Sequence, residues 1–268
     1  LHDALPIFNA MSDLTSFKLG FHAEYTTSLK LLEGMAALAD KVRSPVWFHN
    51  AETASEVADC KKRYGKTPTQ LAESLGMYAY GGGGYHCIYF EEEDFEIFKK
   101  RRLIAVTNPA SNLKLASGIA PVKRFLDEKI PVAIGTDGPA SNNCLDMFRE
   151  MFLVTGLAKV KEQDAACVPA EEVLYMATTG GAEAMGLSDC DSLAEGKLAD
   201  LILIDLKQPN MQPENDFVKN IVYSGSKQNV LLTMVNGEIL YEKQKFFIGV
   251  SAEEVYRHAN EIIERMRT

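Results

Sequence analysis

The sequence predicts an α/β fold: part of a TIM-like (β/α)8 barrel, about strands 4 to 8, followed by a small C-terminal β-sandwich portion. Three observations carry this. Five strand-then-helix units follow one another from Phe17 to Gly186, and such alternation implies a parallel sheet with helices outside it. His22, His49, His86 and Asp137 stand at the ends of four of those strands. A doubly wound sheet gathers function at one switch-point loop, whereas a barrel collects side chains from several strand ends at one mouth. After Gly186 the pattern changes to short strands and a hairpin. Eight units take about 250 residues, so the barrel is expected to be three units short, with the shortage before residue 1.

Phe17 to Phe21 reads as a strand ending at His22, followed by a loop from Ala23 to Ser28. From Leu29 to Lys41, apolar residues at Leu29, Leu32, Met35, Ala36 and Ala39 follow a helical period. Pro45 to His49 is the next strand, with Glu52 three residues beyond it. Thr53-Ala54-Ser55-Glu56 is a capping box that opens a helix to Tyr64. Thr67 to Leu75 is a second helix, stopped by Gly76. Gly81 to Gly84 lack the Lys and Ser/Thr of a phosphate loop, and no helix opens on them. Close backbone packing beside the short strand that ends at His86 is expected instead.

Glu91 to Arg101 is a helix whose acidic first turn and basic last turn suit the helix dipole. Leu103 to Thr107 is a strand, and Asn108-Pro109-Ala110-Ser111-Asn112 a polar loop after it. Ala120 to Glu128 is a helix, Pro131 to Asp137 a strand, and Leu145 to Ala158 and Ala170 to Met185 are helices. In the first of these two, Met147, Phe148, Met151 and Phe152 have the spacing of a core face. Ala199 to Asp205 is a strand; Val230 to Val235 and Glu238 to Glu242 form a hairpin about Asn236-Gly237. Ser251 to Arg267 is an amphipathic helix carrying His258. The domains are therefore expected at 1–190, 191–247 and 248–268.

Composition excludes several functions. The 268 residues are 46% hydrophobic and 24% charged with net charge −9, an ordinary globular make-up. An acidic chain without basic runs argues against nucleic acid and against an anionic membrane surface. No apolar run reaches the roughly 18 residues of a bilayer span. Five Cys with no C-x-x-C pair read as reduced thiols of a cytoplasmic protein. The sequence starts at Leu1 and shows no signal peptide; a fragment is expected, and Leu1 to Ile7 are read as foreign to it. Two open sheet edges would then favour self-association, and homo-oligomerisation is left open.

The chain has only five His, so a His-based metal site must draw on few residues. Imidazole is the commonest metal ligand side chain. Imidazole and carboxylate donors with an open position suit zinc, or iron, used hydrolytically.

These residues resemble the amidohydrolase superfamily, in its 5-methylthioadenosine/S-adenosylhomocysteine deaminase branch, related to atrazine chlorohydrolase-like enzymes. The resemblance rests on Phe21-His22-Ala23-Glu24-Tyr25-Thr26, His49-Asn50-Ala51-Glu52-Thr53, Tyr85-His86-Cys87, Asn108-Pro109-Ala110-Ser111-Asn112-Leu113-Lys114-Leu115 and Gly135-Thr136-Asp137-Gly138. It continues through Gly196-Lys197-Leu198-Ala199-Asp200-Leu201-Ile202. It implies a metal-dependent hydrolase barrel and one divalent ion, zinc with iron as the alternative, held by His49 and Asp137. It implies Glu52, His86 and Asp137 as catalytic residues and His22, Glu52 and Asp137 as substrate contacts. Asp137 would accept a proton from the nucleophilic water and Glu52 would pass it to a ring nitrogen. His86 would hydrogen-bond the reacting centre. The substrate would be a small purine nucleoside, deaminated at its adenine ring with release of ammonia. Guanine deamination, triazine chloro- or aminohydrolysis, or a catalytically incomplete barrel fragment are the alternatives. The family's His-x-His pair is absent from this sequence, and His2 near the terminus is not expected to replace it.

Overall fold

The computed structural model describes residues 9, 11, 12 and 14–267. His2 and the segment from Leu1 to Ile7 lie outside the described residues.

Five parallel strands form one sheet in sequence order. β1 (Leu19–Ala23) is followed by helix α1 (Leu29–Val42), which Ser28 caps by accepting from the Leu31 N–H. β2 (Val46–Asn50) leads to α2 (Ala54–Tyr64) through the capping box of Thr53 and Glu56. After α3 (Pro68–Ser74) comes β3 (Gly82–His86). The glycines do not stand beside this strand; they are most of it. A Cβ on Gly82 would lie 2.1 Å from the Val46 carbonyl oxygen, and one on Gly83 2.0 Å from that of Ile104. The expected close packing is thus between neighbouring strands.

The remaining units are α4 (Glu92–Arg101), β4 (Ile104–Thr107), α5 (Pro109–Lys114), α6 (Val122–Asp127) and β5 (Val132–Ile134). The polar stretch read as a loop at Asn108 to Asn112 is therefore mostly helix, with Pro109 at its first turn, where a missing N–H costs nothing. β5 is shorter than the predicted strand and stops three residues before Asp137. Next come α7 (Pro139–Asn142), α8 (Met147–Glu162), α9 (Ala170–Ala177) and α10 (Thr179–Met185). The single helix expected from Ala170 to Met185 breaks at Thr178, whose backbone sits at φ −121 and ψ −92. On α8, Phe148 and Met151 are buried as expected, but Phe152 is exposed. The buried stripe of this helix runs through Phe148, Met151, Thr155 and Ala158, and Phe152 lies beyond its edge.

The sheet has two unlike faces. Leu19, Val46, Phe48, Ala105, Val132 and Ile134 point into the large core shared with the helices. Trp47, Val106 and Ala133 point the other way and form a small cluster, flanked by Tyr85 and Ile104. The alternation is the period-2 rule of a strand, and the sheet is clothed by helices on the first face.

The C-terminal part is a separate four-stranded antiparallel sheet: β6 (Leu201–Ile204), then, after helix α11 (Phe217–Ser224), β7 (Val230–Val235), β8 (Glu238–Glu242) and β9 (Lys245–Phe246). The Asn236-Gly237 hairpin is present, with both residues at positive φ as such a turn requires. Helix α11 had no counterpart in the sequence reading. The last helix, α12 (Ala252–Arg267), buries no residue. No described helix is long and apolar enough to cross a membrane.

Candidate functional site

The site is built at the C-terminal ends of β1, β2 and β3 and in the turns after β4 and β5. His49 is the fourth residue of β2 and shares the Trp47 face of the sheet. Its Nδ1 lies 2.6 Å from the carbonyl oxygen of His22. A carbonyl only accepts, so Nδ1 carries the proton and the neutral ring keeps its lone pair on Nε2. The His49 ring centroid lies 4.4 Å from that of His22 and 5.3 Å from that of His86.

His86 ends β3 with φ +70, a conformation that a residue with a side chain rarely adopts. The turn swings its ring away from the strand's alternation. Its Nδ1 donates to Asn112 Oδ1 at 2.7 Å. Its Nε2 is buried and has no hydrogen-bond partner, with Glu52 Oε2 at 3.7 Å. A buried polar atom left without a partner is uncommon, and a reactive role is one of the explanations for it.

Glu52 is held from two sides. Its backbone N–H donates to Glu56 Oε2 at 2.7 Å, and its Oε1 accepts from Ser117 Oγ at 2.7 Å. Glu56 also accepts from the N–H groups of Ala51 and Thr53, so its carboxyl fixes the turn after β2. Burial pushes Glu56 up to about 7, against the pull of those N–H donors and with a further push from Glu52. Ala51, at the head of this turn, also has positive φ, at +52.

Asp137 sits at φ +59 three residues after β5. Its Oδ2 accepts from Ser111 Oγ at 2.6 Å and its Oδ1 from the Gly138 N–H at 2.6 Å. Burial works to raise this carboxyl, but the hydrogen bonds from Ser111, Ser141 and Gly138, with the nearby His86 imidazole, hold it below the ordinary aspartate value. Asp137 is thus kept as the anion. Left-handed backbone at Ala51, His86, Cys87 and Asp137 concentrates strain around one mouth.

Two further polar groups tie the turns together. Glu150 is fully buried; it accepts from the Ala110 N–H at 2.9 Å and from Asn142 Nδ2 at 2.7 Å. It so clamps α5 to α7. Lys114 Nζ donates to the Ala140 carbonyl at 2.8 Å, which makes it a strut between the same elements. Cys87 is buried, with Sγ against the Gly84 carbonyl, and packs as expected. His258 is exposed on α12.

The structure therefore brings His22, His49, Glu52 and His86 together, and Asp137 into electrostatic reach of His86. The sequence reading missed Ser111, Asn112, Ser117, Glu56 and Glu150. Glu56 was visible only as a helix cap, and Ser111 and Asn112 only as part of a motif. Ser117 carried no signal, being a lone Ser 65 positions from its partner.

The donor set suits part of a metal site. His49 presents a bare Nε2, and Asp137 is anionic, as ligation requires. Among the described residues no group of three or more His, Cys, Asp or Glu side chains is placed to hold a metal ion. The chain's own donors thus do not complete a coordination sphere among those residues.

A parallel sheet that gathers imidazoles and carboxylates from successive strand ends is the layout of a strand-end catalytic centre. The chain belongs to the amidohydrolase family, whose model matches residues 6–240. It is 40% identical over 237 residues to a 5-methylthioadenosine/S-adenosylhomocysteine deaminase from Dictyoglomus thermophilum, covering 88% of this chain and 56% of that relative. The crystal structure of a zinc-bound adenosine deaminase from Xanthomonas campestris superposes with a TM-score of 0.90 at 33% identity, covering 96% of this chain and 59% of the other. The zinc-complexed atrazine chlorohydrolase of Arthrobacter aurescens shares the fold, with a TM-score of 0.82 at 24% identity over 91% of this chain and 54% of the other. The chain therefore spans little more than half the length of these proteins.

Proposed function

We propose that this chain carries the reacting side chains of a metal-dependent aminohydrolase. Its substrate is an adenine-type nucleoside, 5-methylthioadenosine or S-adenosylhomocysteine, and ammonia is released. The reading includes a barrel whose strands 4 to 8 are β1 to β5, with a domain over 1–190, a β-sandwich portion over 191–247 and a terminal helix over 248–268. The observation that carries the function is the unpartnered, buried Nε2 of His86 facing Glu52 Oε2 at 3.7 Å. Both atoms are acceptors, so a donor placed beside the pair would satisfy each of them. The names of the relatives and the zinc in two of the similar structures support the same reading.

His49 and Asp137 would hold one divalent ion, zinc in preference to iron. Such an ion lowers the pKa of water toward 7 and makes hydroxide available at neutral pH. Asp137, anionic and oriented by Ser111, takes the proton of the attacking water. Glu52 passes that proton on to a ring nitrogen of the adenine, and the remaining proton of the attacking water goes to the departing amine, which leaves as ammonia. His86 would hydrogen-bond through Nε2 where the tetrahedral centre forms, its orientation set by Asn112. His22, stacked on His49 and beside Tyr25, contacts the substrate.

Ammonia release with zinc supplied, measured on 5-methylthioadenosine, S-adenosylhomocysteine, adenosine, guanine and a chlorotriazine, tests the reading. Turnover of an adenine nucleoside alone is expected; turnover of guanine or the triazine alone overturns the substrate class. His49→Ala should lose bound metal and activity together. A second reading, a barrel portion that does not turn over by itself, is favoured by the lack of a three-donor cluster among the described residues. It predicts no ammonia from any of the five compounds and weak zinc binding.

A further inference from the structure

Glu52 must present one chosen oxygen to the reacting atoms, and a glutamate has three freely turning bonds with which to fail. Its backbone is fixed by Glu56, but that leaves the carboxyl free to swing. Among the described residues, only Ser117 donates a hydrogen bond to the Glu52 carboxyl. The bond goes to Oε1, so Oε2 is the oxygen left toward His86.

Ser117 is itself a built position. It is 4% exposed, and its N–H donates to the Asn112 carbonyl at 2.8 Å. Its own carbonyl accepts from Tyr89 Oη at 2.8 Å. Gly118 follows at φ +138, where a Cβ would lie 2.9 Å from Ile88 Cγ2 and 3.0 Å from Tyr89 Oη. The turn can therefore approach the strand-end segment after β3 only with glycine there. The same stretch supplies Ser111 to Asp137 and Asn112 to His86. One segment, 111–117, thus touches three reactive side chains that come from three different strand ends.

We propose that Ser117 is a positioning residue: its hydroxyl fixes the Glu52 carboxyl so that Oε2, facing His86 Nε2, is the oxygen that carries the proton. This rests on the aminohydrolase reading of the site. Losing a hydrogen bond to a charged group lowers the rate by about 10- to 100-fold when the bond acts in the transition state.

The test uses the full chain with zinc. Ser117→Ala should lower kcat for the nucleoside by ~10- to 100-fold with KM within about twofold, and Ser117→Thr, which keeps the hydroxyl, should restore most of it. An unchanged kcat in Ser117→Ala, or a loss that Thr does not restore while the fold and melting temperature are kept, overturns the proposal. A crystal structure of Ser117→Ala gives an answer independent of turnover. Glu52 in a new or split rotamer supports the assignment; Glu52 Oε2 still alone beside His86 Nε2 overturns it. An inactive wild-type chain would sink the aminohydrolase reading, while the Glu52 rotamer still decides the role of Ser117.

Discussion

The two faces of the parallel sheet are built from the same five strands and do opposite work. The helix-side face places Leu19, Val46, Phe48, Val132 and Ile134 in one continuous core. The other face has a three-residue buried cluster of Trp47, Val106 and Ala133, and beyond it the polar cluster begins. Phe48 and His49 are neighbours in sequence, yet one is fully buried among aromatic rings and the other lies against two imidazoles. Each kind of failure should fall on its own face. Substitutions on the helix-side face act on folding. Substitutions at the strand ends of the other face should act on the proposed chemistry and leave folding largely alone.

The largest effect expected is on chemistry. Glu52→Gln removes the proposed proton carrier but keeps its shape, and should cut turnover by ~10²- to 10⁴-fold with metal content and melting temperature unchanged. Steady-state kinetics beside metal analysis checks it; an intact rate would falsify the role given to Glu52. Phe48→Ala should come next, costing ~3–5 kcal/mol of stability, because it empties a site stacked between Phe21 and Tyr78. Urea unfolding reads it. A cost under about 1 kcal/mol would break the contrast between the faces.

A pH experiment sharpens the boundary between them. In the fold the Glu56 carboxyl lies up at about 7, above its ordinary 4.5. The folded state then binds more protons than the unfolded state between those values, so stability falls as pH rises through that window. Wild type should lose up to ~3 kcal/mol relative to Glu56→Gln between pH 4.5 and 7. Parallel stability curves for the two proteins across that window would count against it.

The smallest effect belongs to the second sheet. Ile202 is exposed on β6, so Ile202→Thr should change stability by no more than ~0.5 kcal/mol. A larger loss in the same urea assay would mean that this face is covered in solution.

Local chemistry explains why so much of the fold was legible. The capping boxes, the Asn-Gly hairpin and the helix stops at Gly76 and Gly186 are short-range events, and each occurs where its residues stand. The Asn108 to Asn112 stretch was misread because its polarity resembles a loop while Pro109 at the first turn permits a helix. The break at Thr178 was invisible because the residues on both sides of it form helix.

The sequence by itself determined where these imidazoles fall along their strands: His49 follows an apolar run whose period-2 alternation selects its face, and His86 follows a glycine run. It also determined the order of the units and the parallel sense of the sheet. Only the tertiary structure decided the partners. His49 with the His22 carbonyl, His86 with Asn112, Asp137 with Ser111 and Glu52 with Ser117 join residues 26 to 65 positions apart. Such pairs depend on strand register and on left-handed turns at His86 and Asp137. No local pattern encodes a hydrogen bond whose two ends meet only after the sheet has formed.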